Sequence, residues 1–556
     1  MDHGFYFAFL CVAPGHFRHG WDASGSGGLF SRLRQEGRSV GGLYAANTFG
    51  AVAGALATTF LIAPNLGFSK TLMVLCVVNL VCAGGVLLGA ARNESERPLV
   101  SADYDFAGSS ARILVTLFLT GLLGIGFEVL VVRVISQVLE NTVYTFANVL
   151  SVYLLGTAAG AALYQLYGPK KQSQFEKILF YLLFTLSILC LLGIALLSFS
   201  ETIFSSTGHW TEGGIFGAAL GEASLAFAVF FLPTVAMEAT FAHLALAARG
   251  PNGGLGIALS LNTLGATISP LLFGVILLPW AGSKTALIAV ATSYLFLMPF
   301  KDWRHFVPAL FPLSAATLML STSFNFHFVE VPPGGRIIAY DEGVMAAVSV
   351  VKDSSNEFHL KVNNKFQRGG TSSYYSDRRQ GHIPLLLHPD PKRALFLGLG
   401  TGATFAACQD YTDLQADGVE LLPEIIPLLP YFEKSTGNLR QYRNLHIKVA
   451  DARRFVKSSK DSYDVVVADL FHPARDGAGS LYTVEHFEAI RARLNPSGIF
   501  CQWLPLYQLD LDMLCTIVRT FLQVFPNGSA FLAHYSLETP ILGLVAGAGP
   551  VRYPHD

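Results

Sequence analysis

Charged residues are scarce in this chain: they make up 14% of its 556 residues, whereas 52% are hydrophobic. Soluble globular domains carry about 25% charged residues, so the deficit indicates a membrane component. The formal net charge of −1 argues against a nucleic-acid partner, because such proteins carry a basic patch or stripe. The seven cysteines include no C-x-x-C pair, so neither a zinc site nor a disulfide framework is predicted, and no metal is expected.

Long apolar runs fill residues 41–323, and a basic lead-in of residues 1–40 precedes them. A helix needs about 20 mostly apolar residues to span a bilayer. We therefore predict a multi-pass α-helical membrane domain with about nine spans. The candidate spans are 41–64, 70–91, 111–135, 143–167, 177–199, 217–248, 255–279, 284–300 and 305–323.

Two blocks within this domain match in residue type and spacing. They are Asn47–Ala51 with Pro64 and Gly67, and Asn262–Ala266 with Pro279 and Gly282. Six predicted spans separate them, so both copies run in the same direction, as in the two halves of major-facilitator transporters. The second copy of the repeat has four predicted spans before its Asn262–Ala266 helix, whereas no predicted span comes before the Asn47–Ala51 helix of the first copy. We therefore expect that about four helices have been lost, or are lacking here, at the N-terminus.

Ionisable side chains within the predicted spans are functional candidates, because burying them in a bilayer is costly. The main candidates are Glu128, Arg133 and Glu238, with Glu222 and His243 as further polar positions. The alternative interpretation is structural: Glu128 and Arg133 form an internal pair, or a side chain lies near the interface.

Residues 324–391 are predicted to form a small β unit. Turn signals such as Pro332–Gly335 and Asp341–Gly343 separate short strand-like segments. The predicted strands are Phe326–Val331, Arg336–Tyr340, Ala346–Val351 and Phe358–Val362.

From residue 392 to 556, apolar strands alternate with helices. This alternation predicts a parallel sheet covered on both faces, with a ligand site beyond the carboxyl ends of its strands. The predicted strands are Ala394–Leu399, Gln415–Glu420, His446–Ala450, Tyr463–Ala468, Ile499–Leu504, Ser529–Ala533 and Ile541–Val545. A turn followed by a helix is predicted over Gly400–Asp410, and the other predicted helices are a segment ending at Phe432, Ala452–Ser458, Glu485–Leu494 and Leu511–Phe525.

Four features lie at successive strand ends of this predicted sheet. The loop Gly398–Gly402 allows a ligand to approach the backbone closely, although an ordinary tight turn also carries glycines. Glu420 ends the second strand, where a carboxylate can accept both ribose hydroxyls. Asp451, before Ala452, is placed to bond an adenine amino group, although it also suits a helix N-cap. Asp469 ends the fourth strand. These four features together predict a nucleotide-binding site.

The stretch 358–546 resembles the spermidine synthase (polyamine aminopropyltransferase) family, and the whole chain is similar to membrane-fused spermidine synthase-like proteins of bacteria. The matching pieces are Gln367, His382–Leu385, His388-Pro389, Gly398–Gly402, Val419-Glu420, Asp451–Arg453, Tyr463–Asp469 and Leu481–Thr483. The resemblance implies a multi-pass α-helical membrane domain followed by α/β, namely a class I methyltransferase-like Rossmann domain with a small N-terminal β unit.

The resemblance also implies the chemistry. In this family an amine attacks the carbon next to the sulfonium of decarboxylated S-adenosylmethionine, and methylthioadenosine leaves. Asp469 matches the aspartate that helps to deprotonate the amine, since an ammonium is not a nucleophile. The implied acceptor contacts are His472, Tyr482 and Asp377. The implied donor contacts are Gln367, Gly398, Gly400, Gly402, Glu420, Asp451 and Ala452.

The chain departs from the family pattern mainly around the acceptor. The second aspartate of the family's Asp-x-x-Asp-Pro gate is His472 here. Arg378 and Arg379 stand where acidic amine ligands are expected, and they would repel a polyamine unless they point away or pair with Asp377. Thr401 replaces an aspartate of the glycine loop. The donor half of the site is therefore better preserved than the acceptor half.

Two other functions fit the same residues. A class I methyltransferase that uses ordinary S-adenosylmethionine carries a similar loop and strand-end acid, and Arg378 would then face the methionine carboxylate. A transporter-like protein that senses a polyamine or nucleotide without turnover would explain the repeat and the buried glutamates. The function predicted ahead of these is aminopropyl transfer to an amine acceptor.

The expected partners are the amine acceptor, the lipid bilayer and a second copy of the chain. Basic residues cluster in the lead-in and in the loops 92–112 and 168–177, which the positive-inside rule places in the cytoplasm. Nine spans would then put the C-terminal domain outside, away from a cytosolic donor. Either the run 305–323 does not span, since it holds Pro308 and Pro312, or the C-terminal domain is extracytoplasmic. The cytosolic donor favours the first alternative. The prediction is a multi-pass protein of the cell (inner) membrane with its soluble domain in the cytoplasm.

Overall fold

The structure, a computed structural model, forms two compact units. One consists of Met1–Ile135 and Val143–Phe326, and the other of Ser136–Thr142 and His327–Asp556. The predicted lead-in lies outside the described residues except for Val40, where the first helix begins. The described residues are 40–91, 111–139, 142–168, 174–208, 215–248, 254–299, 306–322, 326–364, 366–471, 473, 477–534, 536–547 and 549.

The first unit, here called the helical unit, contains six helices that are long and apolar enough to cross a membrane, over the residues described. They are Asn47–Gly85, Ala111–Val138, Val143–Tyr167, Phe175–Leu197, Gly217–Ala247 and Gly256–Phe296. The first and the last of these each cover most of two predicted spans, 41–64 with 70–91 and 255–279 with 284–300. A shorter apolar helix, Val307–Ser321, occupies most of the run 305–323.

The helical unit combines α-helices with π-helical turns. Its α-helices are Val40–Ala57, Ala63–Ala91, Ala111–Val138, Val143–Tyr167, Phe175–Leu197, Ser200–Gly208, Ile215–Ala226, Leu232–Ala247, Gly254–Ser269, Leu278–Phe296 and Phe306–Ser321. Its π-helical turns are Thr58–Ile62, Phe227–Phe231 and Pro270–Leu277.

Both copies of the sequence repeat interrupt their helices in the same way. Gly67 has φ 73° and ψ 165°, and its counterpart Gly282 has φ 75° and ψ 161°. Such backbone angles are essentially confined to glycine. A π-helical turn precedes each glycine, at Thr58–Ile62 and Pro270–Leu277. The two copies therefore share their local backbone geometry as well as their residues.

Small residues allow close helix contacts in this unit. The backbone of Gly265 approaches the carbonyl of Phe118, and Gly160 approaches that of Val235. The Ser269 hydroxyl donates to the carbonyl of Leu122 at 2.7 Å. Close approach at glycine and interhelical bonds from hydroxyls are the usual means by which apolar helices associate in a membrane.

The second unit begins with a four-stranded antiparallel sheet in the order β1-β2-β3-β4. Its strands are β1 Arg336–Glu342, β2 Ala347–Lys352, β3 Phe358–Val362 and β4 Phe366–Gly370. The predicted strand Phe326–Val331 is wrong: Phe326–Glu330 is irregular, and Glu330 donates to Asn364 at 3.4 Å without a strand ladder. The sequence prediction also missed β4, since its two glycines are unfavourable in strands.

A seven-stranded sheet follows, in the order β10-β11-β9-β8-β5-β6-β7. Strands β5 to β9 are parallel, whereas β11 pairs antiparallel with both β9 and β10. The expectation of a parallel sheet is therefore wrong at this edge, because the short link between β10 and β11 forms a hairpin. The strands are β5 Arg393–Leu397, β6 Gln415–Glu420, β7 Leu445–Val449, β8 Tyr463–Ala468, β9 Leu494–Pro505, β10 Ser529–His534 and β11 Ile541–Gly547.

Helical segments cover both faces of this sheet, and β5 shows why. Phe396 packs in the hydrophobic cluster on one face and Leu395 in the cluster on the other, as expected for a strand buried on both sides. The turn and helix predicted over Gly400–Asp410 form as turns followed by a 3₁₀ helix over Phe405–Asp410, and no α-helix forms there. The α-helices are Tyr374–Leu387, Glu433–Thr436, Ala452–Ser458, Val484–Arg491 and Leu511–Val524. The other 3₁₀ segments are Pro423–Phe432, Leu439–Gln441, Ala478–Tyr482 and Leu506–Gln508.

Candidate functional site

The glycine loop lies where β5 and β8 meet at the centre of the parallel strands. The chain runs from β5 outward to β6, whereas β8 lies on the opposite side of β5, so the strand order reverses here, and ligands bind at such switch points. Gly398, Gly400 and Gly402 have φ values of 92°, 53° and 84°, which a residue with a side chain rarely adopts. The loop thus presents its backbone at the carboxyl edge of the sheet.

Glu420, which ends β6, is 7% exposed and holds this loop. Its Oε2 accepts hydrogen bonds from the backbone nitrogens of Leu399 at 3.1 Å and Gly400 at 3.2 Å. Its Oε1 accepts one from Leu422 at 3.0 Å. A carboxylate has about four acceptor positions, so three are used within the protein and about one remains for a ligand hydroxyl.

Asp469 follows β8 directly beside the loop. Its backbone nitrogen donates to Leu397 at 2.9 Å, and its Oδ1 accepts from the backbone nitrogen of Leu470 at 2.8 Å. A Cβ added to Gly398 would lie 3.0 Å from the Cβ of Asp469. The side chain is partly exposed.

Two buried side chains donate hydrogen bonds to the backbone of Asp469 and of the segment that follows it. Gln502, fully buried on β9, donates from Nε2 to the carbonyl of Asp469 at 3.3 Å. Tyr482 donates its hydroxyl proton to the carbonyl of Phe471 at 2.6 Å, and burial raises the pKa of this phenol. The structure therefore places Tyr482 as a support for the segment, whereas His472 lies outside the described residues.

Asp451 is the N-cap of the helix Ala452–Ser458, and its Oδ1 accepts from the backbone nitrogen of Arg454 at 2.8 Å. It is exposed, and an ionised carboxylate keeps acceptor capacity beyond this one bond. His486, which the sequence prediction missed, lies close to it. Burial lowers the pKa of His486 to about 4, and the charge of Arg453 acts in the same direction while that of Asp451 opposes it.

Arg378 is turned to a neighbouring acid and does not pair with Asp377 in any contact that is described. Its Nη2 donates to both carboxylate oxygens of Asp410, at 2.7 Å and 2.8 Å, and its Nη1 donates to the hydroxyl of Tyr374 at 2.9 Å. Arg379 approaches the carbonyl of Ala533 at 3.5 Å. The repulsion of a cationic substrate that the sequence suggested is therefore offset for Arg378 by its own carboxylate partner.

Asp377 lies in the first turn of the helix Tyr374–Leu387, and its Oδ2 accepts from the hydroxyl of Ser373 at 2.7 Å. Tyr507, beyond the end of β9, was missed by the sequence prediction. Partial burial raises the pKa of Tyr507, and the negative charges of Asp377 and Asp469 add to this. Both carboxylates therefore lie near one phenol. The expectation that ligand-binding residues follow the carboxyl ends of strands, here called the strand-end rule, led to Glu420 and could also have led to Tyr507.

Gln367 lies in β4, opposite Lys361. Of the polar residues in the helical unit, Arg133 is buried, while Glu128 and Glu238 are half-buried. The carboxylate of Glu222 accepts from Thr145 Oγ1 at 2.7 Å and from Asn148 Nδ2 at 2.8 Å. His243 bonds to the Tyr164 hydroxyl at 2.9 Å and to the Phe175 carbonyl at 3.0 Å.

Comparison with known proteins finds a family match within the second unit. Residues 376–537 match the family model described as the spermine/spermidine synthase domain. A polyamine aminopropyltransferase of Saccharolobus islandicus is 29% identical over 237 residues, covering 40% of this chain and 74% of the relative. A solved spermidine synthase structure from Thermotoga maritima has 20% identity and a TM-score of 0.35, covering 38% of this chain and 73% of that one.

A further relative matches more of the chain. A polyamine aminopropyltransferase of Oceanobacillus iheyensis is 24% identical over 402 residues, covering 67% of this chain and 74% of the relative. The residues after Phe326 make up well under half of the chain. The similarity therefore extends into the helical unit.

Proposed function

Because the chain carries a spermine/spermidine synthase domain beside a set of long apolar helices, we propose that it is a membrane-anchored aminopropyltransferase. Its donor is decarboxylated S-adenosylmethionine and its acceptor is an amine. The observation that carries the proposal is the contact between the glycine loop and Asp469, whose Cβ lies 3.0 Å from a Cβ built on Gly398. This contact puts a carboxylate at the edge of a nucleotide-binding loop.

The reaction forms one bond and breaks one. The acceptor nitrogen bonds to the propyl carbon next to the sulfonium while the carbon–sulfur bond breaks, so methylthioadenosine leaves as a neutral product. An ammonium must first lose a proton to become a nucleophile, and Asp469 accepts that proton. The bonds from Gln502 and Leu470 to Asp469 fix the position of this base.

The residues of the glycine loop and the acids beside it fit the adenosyl part of the donor. Glu420 offers its remaining acceptor position to a ribose hydroxyl, and Asp451 offers a carboxylate oxygen to the adenine amino group. Gln367, which lies on β4, is a further contact to the donor in this proposal. The anionic pair Asp377 and Asp469 suits substrates that carry ammonium groups.

We also propose that the domain lies in the cytoplasm, next to the inner membrane. The six long apolar helices provide the anchor, and the donor is a cytosolic metabolite. The test is labelling of Cys515, which is exposed on the second unit, in intact cells. An impermeant thiol reagent should leave it unmodified, and modification comparable to that in lysed cells would contradict the proposal.

The activity test uses the full chain in lipid nanodiscs with decarboxylated S-adenosylmethionine and a panel of diamines and polyamines. We expect methylthioadenosine release that depends on the amine. Asp469→Asn should lower this rate by about 10²–10⁴-fold and leave donor affinity within about threefold, whereas the exposed control Asp512→Asn should change neither. Release of S-adenosylhomocysteine from ordinary S-adenosylmethionine, without methylthioadenosine release, would instead establish a methyltransferase.

A further inference from the structure

The glycine loop lacks a negative charge at the position of Thr401. This side chain is 4% exposed and neutral, whereas the propyl arm of the proposed donor ends in an ammonium group. An ammonium that leaves water needs a counter-charge or a full set of acceptors. The loop alone therefore provides too little to bind the end of this arm.

The carboxylate of Asp377, on the helix Tyr374–Leu387, lies close to the side chain of Thr401. Gly369, at the end of β4, has φ 103°, and a Cβ built on it would lie 3.0 Å from Thr401 Oγ1 and 3.4 Å from Asp377 Oδ2. The side chains of Thr401 and Asp377 therefore converge on one position, although they come from the loop and from the helix Tyr374–Leu387. The Ser373 hydroxyl, 2.7 Å from Oδ2, fixes the direction of this carboxylate.

The charges around this position favour a cation and disfavour an anion. Asp377 and Asp469 both act on the phenol of Tyr507 and raise its pKa, in addition to the effect of its partial burial. Arg378 binds Asp410 through both carboxylate oxygens, so its guanidinium already has an anionic partner. A ligand carboxylate next to Asp377 would be repelled by both aspartates.

We propose that Asp377 binds the primary ammonium of the donor's propyl arm and thereby selects the donor that lacks an α-carboxylate. This inference rests on the proposed function and assigns Asp377 to the donor, whereas the sequence assigned it to the acceptor. Ordinary S-adenosylmethionine carries its carboxylate on the carbon next to the ammonium, where it would face Asp377.

The test compares three ligands by calorimetry on the full chain in nanodiscs: decarboxylated S-adenosylmethionine, S-adenosylmethionine and methylthioadenosine. The unsubstituted protein should bind the decarboxylated form at least tenfold more tightly than S-adenosylmethionine. Asp377→Asn should weaken binding of the decarboxylated form at least tenfold and leave methylthioadenosine, which has no propyl ammonium, within about twofold. Asp512→Asn is the matched control.

A second variant tests the convergence of the two side chains. Thr401→Asp in the Asp377→Asn background returns a carboxylate to the same position from the loop, so it should restore most of the lost affinity for the decarboxylated donor. Equal weakening of methylthioadenosine and of the donor by Asp377→Asn would overturn the inference, because the effect would then be structural.

Two other outcomes separate the inference from the proposed function. A change confined to the acceptor KM, with donor affinity intact, would make Asp377 an acceptor ligand and overturn the inference alone. Failure of the unsubstituted protein to bind any of the three ligands would overturn the proposed function itself, and the inference with it.

Discussion

Oε2 of Glu420 lies 3.2 Å from the backbone nitrogen of Gly400 and accepts a hydrogen bond from it. Since the same oxygen also accepts from Leu399, the end of β6 fixes the conformation of the glycine loop at the end of β5. A strand-end acid that a sequence suggests as a ribose ligand is thus also a structural part of the loop.

Glu420→Gln should damage both stability and nucleotide binding. An amide has only one acceptor oxygen, so its NH2 group must face backbone N–H groups on one side. Leaving a buried donor without an acceptor costs about 1–3 kcal/mol. We expect a lower unfolding temperature and at least tenfold weaker methylthioadenosine binding in calorimetry. The exposed control Glu488→Gln should have the unfolding temperature and the methylthioadenosine affinity of the unsubstituted protein. The same result for Glu420→Gln would show that its hydrogen bonds to the loop are unimportant.

Arg378→Met should leave the donor and acceptor affinities within about threefold. The guanidinium binds Asp410 and the Tyr374 hydroxyl, so its removal costs about 0.5–1 kcal/mol of stability, as for a partly exposed ion pair. Calorimetry and thermal unfolding measure the two effects separately. Stronger binding of a polycationic acceptor to Arg378→Met would show that the guanidinium faces the site, contrary to the structure.

The sequence predicted those parts of the fold in which local pattern and tertiary packing agree. β8 and the helix Ala452–Ser458 have their predicted bounds, because a continuous apolar strand and an N-capped helix are signals that neighbours reinforce. β4, with two glycines in five residues, carries no such pattern and forms because β3 pairs with it. Pairing between strands is invisible in the local sequence.

The candidate site was predictable where a residue follows a strand and unpredictable where it depends on side-chain direction. Glu420 and Asp469 lie where the strand-end rule put them. The pairing of Arg378 with Asp410 depends on the packing of a helix against a 3₁₀ segment, which residue type alone does not give. His486 follows no strand and is part of an ordinary helix, so no sequence signal marked it.

Acid should destabilise the second unit through His486. This side chain is 1% exposed, and burial lowers its pKa to about 4 from an ordinary value of 6.5. A histidine with a lowered folded-state pKa contributes stability that is present above pH 6.5 and is lost as the pH falls toward 4, because the unfolded chain binds the proton first. The full effect is roughly 3 kcal/mol.

Denaturant unfolding of the full chain in detergent between pH 7.5 and pH 4.5 measures this effect. His486→Phe removes the titrating group, so its unfolding free energy should fall less over this range than that of the unsubstituted protein. His446→Phe, at an exposed position on β7, is the control and should leave the pH profile as in the unsubstituted protein. Parallel pH profiles for His486→Phe and the unsubstituted protein would contradict the prediction.

Gly67→Ala tests whether the break shared by the two repeat copies is a required feature of the helical unit. Gly67 has φ 73° and ψ 165°, and a non-glycine residue in this region costs on the order of 1–3 kcal/mol. No described atom lies within 4 Å of a Cβ at this position, so backbone strain alone decides the outcome. Thermal unfolding in detergent should show a lower midpoint for Gly67→Ala.

Gly256→Ala is the control, because Gly256 lies in a regular helix with the same open surroundings. This substitution should be neutral or stabilising, because alanine favours helix more than glycine does. Gly282→Ala should be destabilising like Gly67→Ala, since Gly282 has nearly the same backbone angles. A stable Gly67→Ala together with an unstable Gly282→Ala would show that only the second copy requires the break.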